Sequence, residues 1–128
     1  MNPFKIGEIQ ISHYRGLVPN LDTNEVVITE RQKRHSNERH HGDFDAYHDF
    51  IPEILEAPDG ILEDLKHPTN TVNLVKAFSV GTERLYFYLV LRLHTPEEPS
   101  EYRNSIITFW RIHQKEYERL LRNRKRYK

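Results

Sequence analysis

Positions 84–94 carry the cleanest two-residue alternation in the chain: Leu85, Phe87, Leu89, Leu91 and Leu93 fall on one side, and Arg84, Tyr86, Tyr88, Val90 and Arg92 on the other. That period predicts a strand with one face in a core and the other face open. Residues 71–80 (TVNLVKAFSV) are rich in β-branched and apolar types, and Gly81-Thr82 with Glu83 makes a hairpin connection to the strand that follows. Asn104–Ile112 (NSIITFWRI) predicts another strand. Strict alternation there places Asn104, Ile106, Thr108 and Trp110 on one side, and Ser105, Ile107, Phe109 and Arg111 on the other. Pro58-Asp59-Gly60 reads as a turn leading into a short strand at Ile61–Leu65. Residues 4–11 show a weak strand pattern, and Glu25–Ile28 reads as a short apolar approach to a helix.

Thr29 with Gln32 three residues on is a capping-box pattern, which predicts a helix from Glu30 that ends by Gly42. This helix is polar all round, so it is either held at its ends or exposes a working face. Tyr47, Phe50, Ile51, Ile54 and Leu55 have helical spacing and predict a second helix over Asp45–Glu56, with Pro52 tolerable near its start. His113–Lys125 predicts a basic terminal helix with Tyr117, Leu120 and Leu121 on its apolar side. The expected class is α+β: N-terminal helices packed on a four-stranded antiparallel sheet, closed by a basic C-terminal helix.

A length of 128 residues predicts one domain with one core. Without cysteine, disulfides, zinc-thiolate sites and thiol nucleophiles are excluded. The first residues have no apolar core of a signal peptide, and no stretch reaches the ~18–20 apolar residues of a membrane span, so a cytoplasmic chain with no membrane partner is expected. The formal net charge is zero, but the charges are sorted by position. Residues 31–41 carry Arg31, Lys33, Arg34 and Arg39 against Glu38, residues 42–64 carry eight carboxylates and no Lys or Arg, and Arg111–Lys128 carries eight cations against Glu116 and Glu118. Separated blocks of opposite sign produce local potentials that a balanced total conceals, and the basic ones suggest a polyanion partner.

Three constellations carry candidate chemistry. On the polar helix, His35 and Arg39 are four residues apart and share a face with Arg31, while His40 is rotated roughly a third of a turn from that stripe. Imidazole moves protons near neutral pH, and guanidinium grips phosphate at two points. A solvated helix with idle histidines is the plain alternative. On the sheet, Tyr88, Arg92, Thr108 and Trp110 offer rings to stack bases and groups to hold phosphate, although Tyr and Thr are also favoured by β-propensity alone. His40, His41, Asp43, Asp45, His48 and Asp49 invite a metal reading, but Ile54 stands where an EF-hand loop needs Glu and no His-Glu-x-x-His occurs, so no metal or other cofactor is assigned.

In combination, VVITERQKRHSNERH, IPEILEAPDGIL and NSIITFWRIHQKEYERLLRNRKRYK resemble the phage-associated members of the barnase–EndoU–colicin–RelE-like (BECR) nuclease superfamily. The resemblance spans about Val26 to Lys128, leaving 1–25 as an N-terminal extension. It implies metal-independent RNA cleavage by attack of the ribose 2′-hydroxyl on the adjacent phosphate, as used by phage proteins and toxins. His35, His40, Arg39, Arg92 and Thr108 would then be catalytic: His35 as base or acid with Arg39 or His40 beside it, and Arg92 and Thr108 on phosphate. Arg31, Tyr88, Ser105 and Trp110 would contact substrate. RNA is the implied partner, with an immunity protein or antitoxin as a further one. Ser36 departs from the pattern, which leads one to expect an apolar residue after His35, and this predicts looser packing of the helix. A non-catalytic RNA-binding or protein-docking domain on the same fold is the rival reading, and an accessory protein docking through its acidic segment is a third.

Overall fold

In the computed structural model, which describes residues 3–95, 97–99 and 103–128, the sheet has six strands. They are β1 (Phe4–Glu8), β2 (Glu25–Ile28), β3 (Gly60–Glu63), β4 (Thr71–Val80), β5 (Glu83–Arg92) and β6 (Asn104–Ile112), in the spatial order β1-β2-β6-β5-β4-β3. Neighbours are antiparallel except β2 and β6, which run parallel. The class is α+β, but the expected layout of N-terminal helices on a four-stranded antiparallel sheet is overturned. Two strands precede the first helix, and the sheet is mixed. The four residues of β2 are too few to show alternation, and Val26, Val27 and Ile28 are all buried, so they present only an apolar run. Residues 9–24 connect β1 to β2 and add Ile9, Tyr14, Val18 and Leu21 to the same core as the rest of the sheet.

The helix α1 (Glu30–Arg39) begins with the expected capping box: Thr29 Oγ1 accepts from the Gln32 amide at 3.1 Å, and Gln32 Oε1 accepts from the Thr29 amide at 3.3 Å. It ends in a left-handed turn. His41 has φ of 54° and Gly42 of 80°, and the Gly42 amide donates back to the Asn37 carbonyl at 2.9 Å. The single helix expected over Asp45–Glu56 is instead α2 (Asp43–Tyr47), a 3-10 turn at His48–Phe50, and α3 (Ile51–Glu56). Pro52 lies in the first turn of α3, where its missing amide hydrogen cannot continue the earlier helix.

The two faces of β5 divide as the alternation predicts. Leu85, Phe87, Leu89 and Leu91 enter a core with Phe44 of α2 and Ile51, Ile54 and Leu55 of α3. Tyr86 and Tyr88 face the other way, where Leu120 of α4 (Gln114–Asn123) covers part of the sheet. Gly60 lets α4 approach, since a Cβ there would lie 2.5 Å from Leu121 Cδ2. After α4 the chain lies along the outer edge of β3. Glu63 donates its amide to the Lys125 carbonyl at 3.0 Å, and Tyr127 donates to the Ile61 carbonyl at 2.7 Å. The basic tail thereby covers an edge that would otherwise be open to pairing.

Strict alternation fails in β6. Phe109 pairs with Leu89 and Thr108 with Val90, but Leu91 pairs with Ile106, so one extra residue is accommodated at Ile107. Ile106 and Phe109 both enter the core, and Ser105, opposite Arg92, joins the face that carries Thr108 and Trp110. The placement of Ser105 with Ile107, Phe109 and Arg111 is therefore corrected by a bulge. β2 pairs with β6 only at Asn104 and Ser105, which leaves the far half of that β6 edge to the helices. There the fully buried Ser36 donates to the Phe109 carbonyl at 3.0 Å and accepts from the Phe109 amide at 3.2 Å, while Asp43 Oδ2 accepts from the Arg111 amide at 3.0 Å. The looser helix expected from Ser36 is not found: its hydroxyl does what an apolar side chain there cannot.

Replacing Ser36 with alanine orphans a buried amide and a buried carbonyl. Urea denaturation is expected to show a loss of roughly 2–4 kcal/mol. A change below about 0.5 kcal/mol, the scale of ordinary surface substitutions, would mean water replaces the hydroxyl without cost.

Candidate nucleic-acid site

Part of the sheet face that carries Tyr86 and Tyr88 is left open beside α4, and there the sheet floors a cavity of about 820 Å³. Cross-strand pairing sets its floor in rows. Trp110 stands beside Tyr88, Val90 lies between Thr108 and Asn73, and Arg92 stands beside Thr71. One wall is the C-terminal end of α1, with Arg39 and His40, and another is the β3–β4 loop, with Asp64, Lys66 and His67. Arg124, just past α4, completes the lining.

His40 lies flat on Trp110, with ring centroids 4.0 Å apart and planes within 7° of parallel. Tyr88 meets the other partner of this cluster, Trp110, at 4.6 Å. The stack holds the imidazole half-buried. Burial pushes its pKa below the ordinary 6.5, the Arg39 cation pushes the same way, and Asp43 opposes them. The neutral ring is thus the favoured form at neutral pH. Because the folded value is depressed, the stability it contributes is complete above pH 6.5 and is lost as pH falls through the lower folded value.

A polar network fixes the opposite side. Asp64 accepts from the His67 amide at 2.7 Å and from Asn73 Nδ2 at 3.0 Å. The other end of the buried Asn73, Oδ1, accepts from the Tyr88 hydroxyl and from Arg124 at 2.9 Å. Arg124 also donates to the Glu63 carbonyl at 2.7 Å. Arg92 pairs with Glu98, which accepts from the Thr95 amide at 2.8 Å. Burial raises the Glu98 carboxyl, but hydrogen bonds from Arg92 and Thr95 outweigh it and hold the group below its ordinary range. Among the described residues, the cations Arg39, Lys66, Arg92 and Arg124 line the cavity against one carboxylate, Asp64, so this lining favours an anion.

Thr108 Oγ1 lies 3.2 Å from Ser36 Oγ. Ser36 has one proton, and the Phe109 carbonyl can only accept it. The arrangement that satisfies every group has Thr108 donating to Ser36, which leaves Thr108 presenting lone pairs to the cavity rather than a proton.

Of the residues expected to form a site, His40, Arg39, Arg92, Thr108, Tyr88 and Trp110 line this cavity together. His35 and Arg31 are exposed on α1 and do not line it. Ser105 shares the face with Arg92 but also lies outside the lining. Asp64, Lys66, His67, Asn73 and Arg124 were not anticipated. Two of them left a trace in the sequence: Asn73 as a polar residue within the buried run of β4, and Arg124 as a member of the basic tail block. The histidine-aspartate cluster at 40–49 is dispersed: His40 stacks on Trp110, Asp43 holds the Arg111 amide, and His48 stacks on Phe44. No group of three or more potential metal ligands forms among the described residues. Likewise, no helix among them is long and apolar enough to cross a membrane.

Trp110 is the only tryptophan in the chain, so its fluorescence reports on the stack. Protonation of His40 is expected to quench it with a midpoint below pH 6.5, and His40→Ala is expected to abolish the transition. A midpoint above 6.5 in the parent would contradict the effect of burial. Comparison of the chain with protein-family models, curated proteins and solved structures gives no match to any of the three.

Proposed function

We propose that this cavity binds a single strand of RNA and cleaves it without a metal ion. The observation that carries the reading is the convergence of an imidazole stacked on Trp110, its pKa lowered by burial, with a cation-lined concavity on an aromatic floor. Neutral His40 is suited to take the proton of a ribose 2′-hydroxyl as that oxygen attacks the neighbouring phosphorus. Arg39, at the rim beside it, and Lys66 and Arg124 across the cavity oppose the charge that develops on phosphate. Trp110 offers to a base the part of its ring that His40 leaves open, a contact tolerant of sequence, while the buried Tyr88 supports that ring at 4.6 Å.

Two expected roles change. His35, expected as base or acid with Arg39 or His40 beside it, lies outside the lining and does not act on substrate, and the role of base falls to His40. Thr108 accepts a hydrogen bond from a sugar or base-edge donor instead of gripping phosphate. Arg92 is paired with Glu98 through one of its nitrogens, so Glu98 offsets part of the charge that a phosphate would meet there.

The test is cleavage of single-stranded RNA in chelator. The parent is expected to produce fragments ending in 2′,3′-cyclic phosphate, His40→Ala to lose roughly 10²-fold or more in rate, and His35→Ala to stay near the parent. Salt-sensitive RNA binding with no fragments in any buffer would replace the enzyme with a binding module. In the same preparations, Glu98→Gln is expected to tighten binding of an uncleavable oligodeoxynucleotide several-fold at low salt, by releasing Arg92. Unchanged affinity would mean that Glu98 does not restrain Arg92 from the anion.

A further inference from the structure

Cleavage of a phosphodiester by its own 2′-hydroxyl needs two proton transfers on opposite sides of phosphorus. The attacking oxygen must lose a proton, and the departing 5′-oxygen must gain one. A group on the α1 wall serves only one of these positions. The second must come from across the cavity, and the β3–β4 loop supplies that wall. From β6, which carries the His40 partner Trp110, two strand spacings, ~10 Å across the sheet, lead to β4, and Asn73, to which the loop is tied, stands two residues along the strands from the Trp110 row.

Three titratable side chains of that loop line the cavity: Asp64, Lys66 and His67. Asp64 is committed, with one oxygen on the His67 amide and the other on Asn73. Lys66 is a point charge suited to the phosphate oxygens rather than to proton exchange near neutral pH. His67 remains. Its backbone is tied through Asp64 to Asn73, and Asn73 is itself fixed by Tyr88 and Arg124, so the loop is anchored to the floor of the cavity at the residue that matters. Its exposed side chain is open to exchange with water between turnovers.

We propose that His67 is the general acid of this site, protonating the 5′-oxygen as it leaves, with Asp64 as the residue that positions its loop. The assignment rests on the ribonuclease reading above. In the step, the 2′-oxygen forms a bond to phosphorus and passes its proton to His40. The bond from phosphorus to the 5′-oxygen breaks, and His67 gives that oxygen a proton. The products are a 2′,3′-cyclic phosphate and a 5′-hydroxyl, with His40 protonated and His67 neutral. Water then carries the proton from one imidazole to the other and restores the starting state.

The discriminating substrate is a short RNA with sulfur in place of the 5′-bridging oxygen at the scissile linkage. Thiols ionise near pH 8.5, so the sulfur departs as thiolate without a proton. On unmodified RNA, His67→Ala and His67→Gln are expected to be roughly 10²-fold slower than the parent, and on the sulfur substrate within about threefold of it, because only the acid has been removed. His40→Ala is expected to be slow on both substrates. If the His67 variants match the parent on unmodified RNA, or lose the same factor on both substrates, His67 is not the acid. If the parent cleaves neither substrate, the ribonuclease reading itself fails and the assignment goes with it.

Discussion

The joint between α1 and the free edge of β6 is the constraint on which the site depends. β2 satisfies only the first two residues of that edge, and the Phe109 amide and carbonyl beyond it would be buried without partners. Ser36 meets the Phe109 amide and carbonyl with a single hydroxyl, and Asp43 meets the Arg111 amide. Only a side chain that is short and both donor and acceptor can do this at full burial. Once Ser36 is fixed, one helical turn carries the chain to Arg39 and His40, and the left-handed turn at His41–Gly42 stops it over Trp110. A hydrogen-bonding requirement of the backbone thus sets where the imidazole lies.

A second device decides what the imidazole meets. Without the bulge at Ile107, the core residues Ile106 and Phe109 would lie on opposite faces, and either the core or the cavity would lose its lining. The extra residue lets β6 feed Phe109 to the core and Thr108 and Trp110 to the open face, next to Val90 and Tyr88 of β5. Bulges beside functional surfaces re-aim side chains in this way.

The sorted charges find their meaning in the packing. Three of the eight carboxylates in the acidic block hold structure: Asp43 on the β6 edge, Asp59 on the Ala77 amide and the Tyr117 hydroxyl, Asp64 on the β3–β4 loop. The basic tail pairs along β3 and brings Arg124 to the cavity. What remains at the cavity is an excess of cations. Zero net charge is therefore compatible with an anion-binding surface, because all the acidic-block carboxylates but Asp64 lie outside the cavity lining.

The sequence by itself determined the elements whose signals are local. The period of two in β5, the hairpin at Gly81, the capping box at Thr29 and the apolar side of α4 each depend on residues within a few positions of one another, and each is present as read. It also indicated the chemistry of His40, Arg39, Arg92, Thr108, Tyr88 and Trp110, since residue types are written in the chain. Tertiary structure alone decided the rest. β2 is a strand only because β1 and β6 flank it, and Ile107 is a bulge only because Leu91 selects Ile106 as its partner. Ser36 is a joint because an edge some seventy residues away lacks partners. His35 and His40 look equivalent on paper, and a helix end docked on β6 separates them, placing one in solvent and the other against Trp110. Pairing across long separations is chosen by the burial and hydrogen bonding of the whole, which no local window contains.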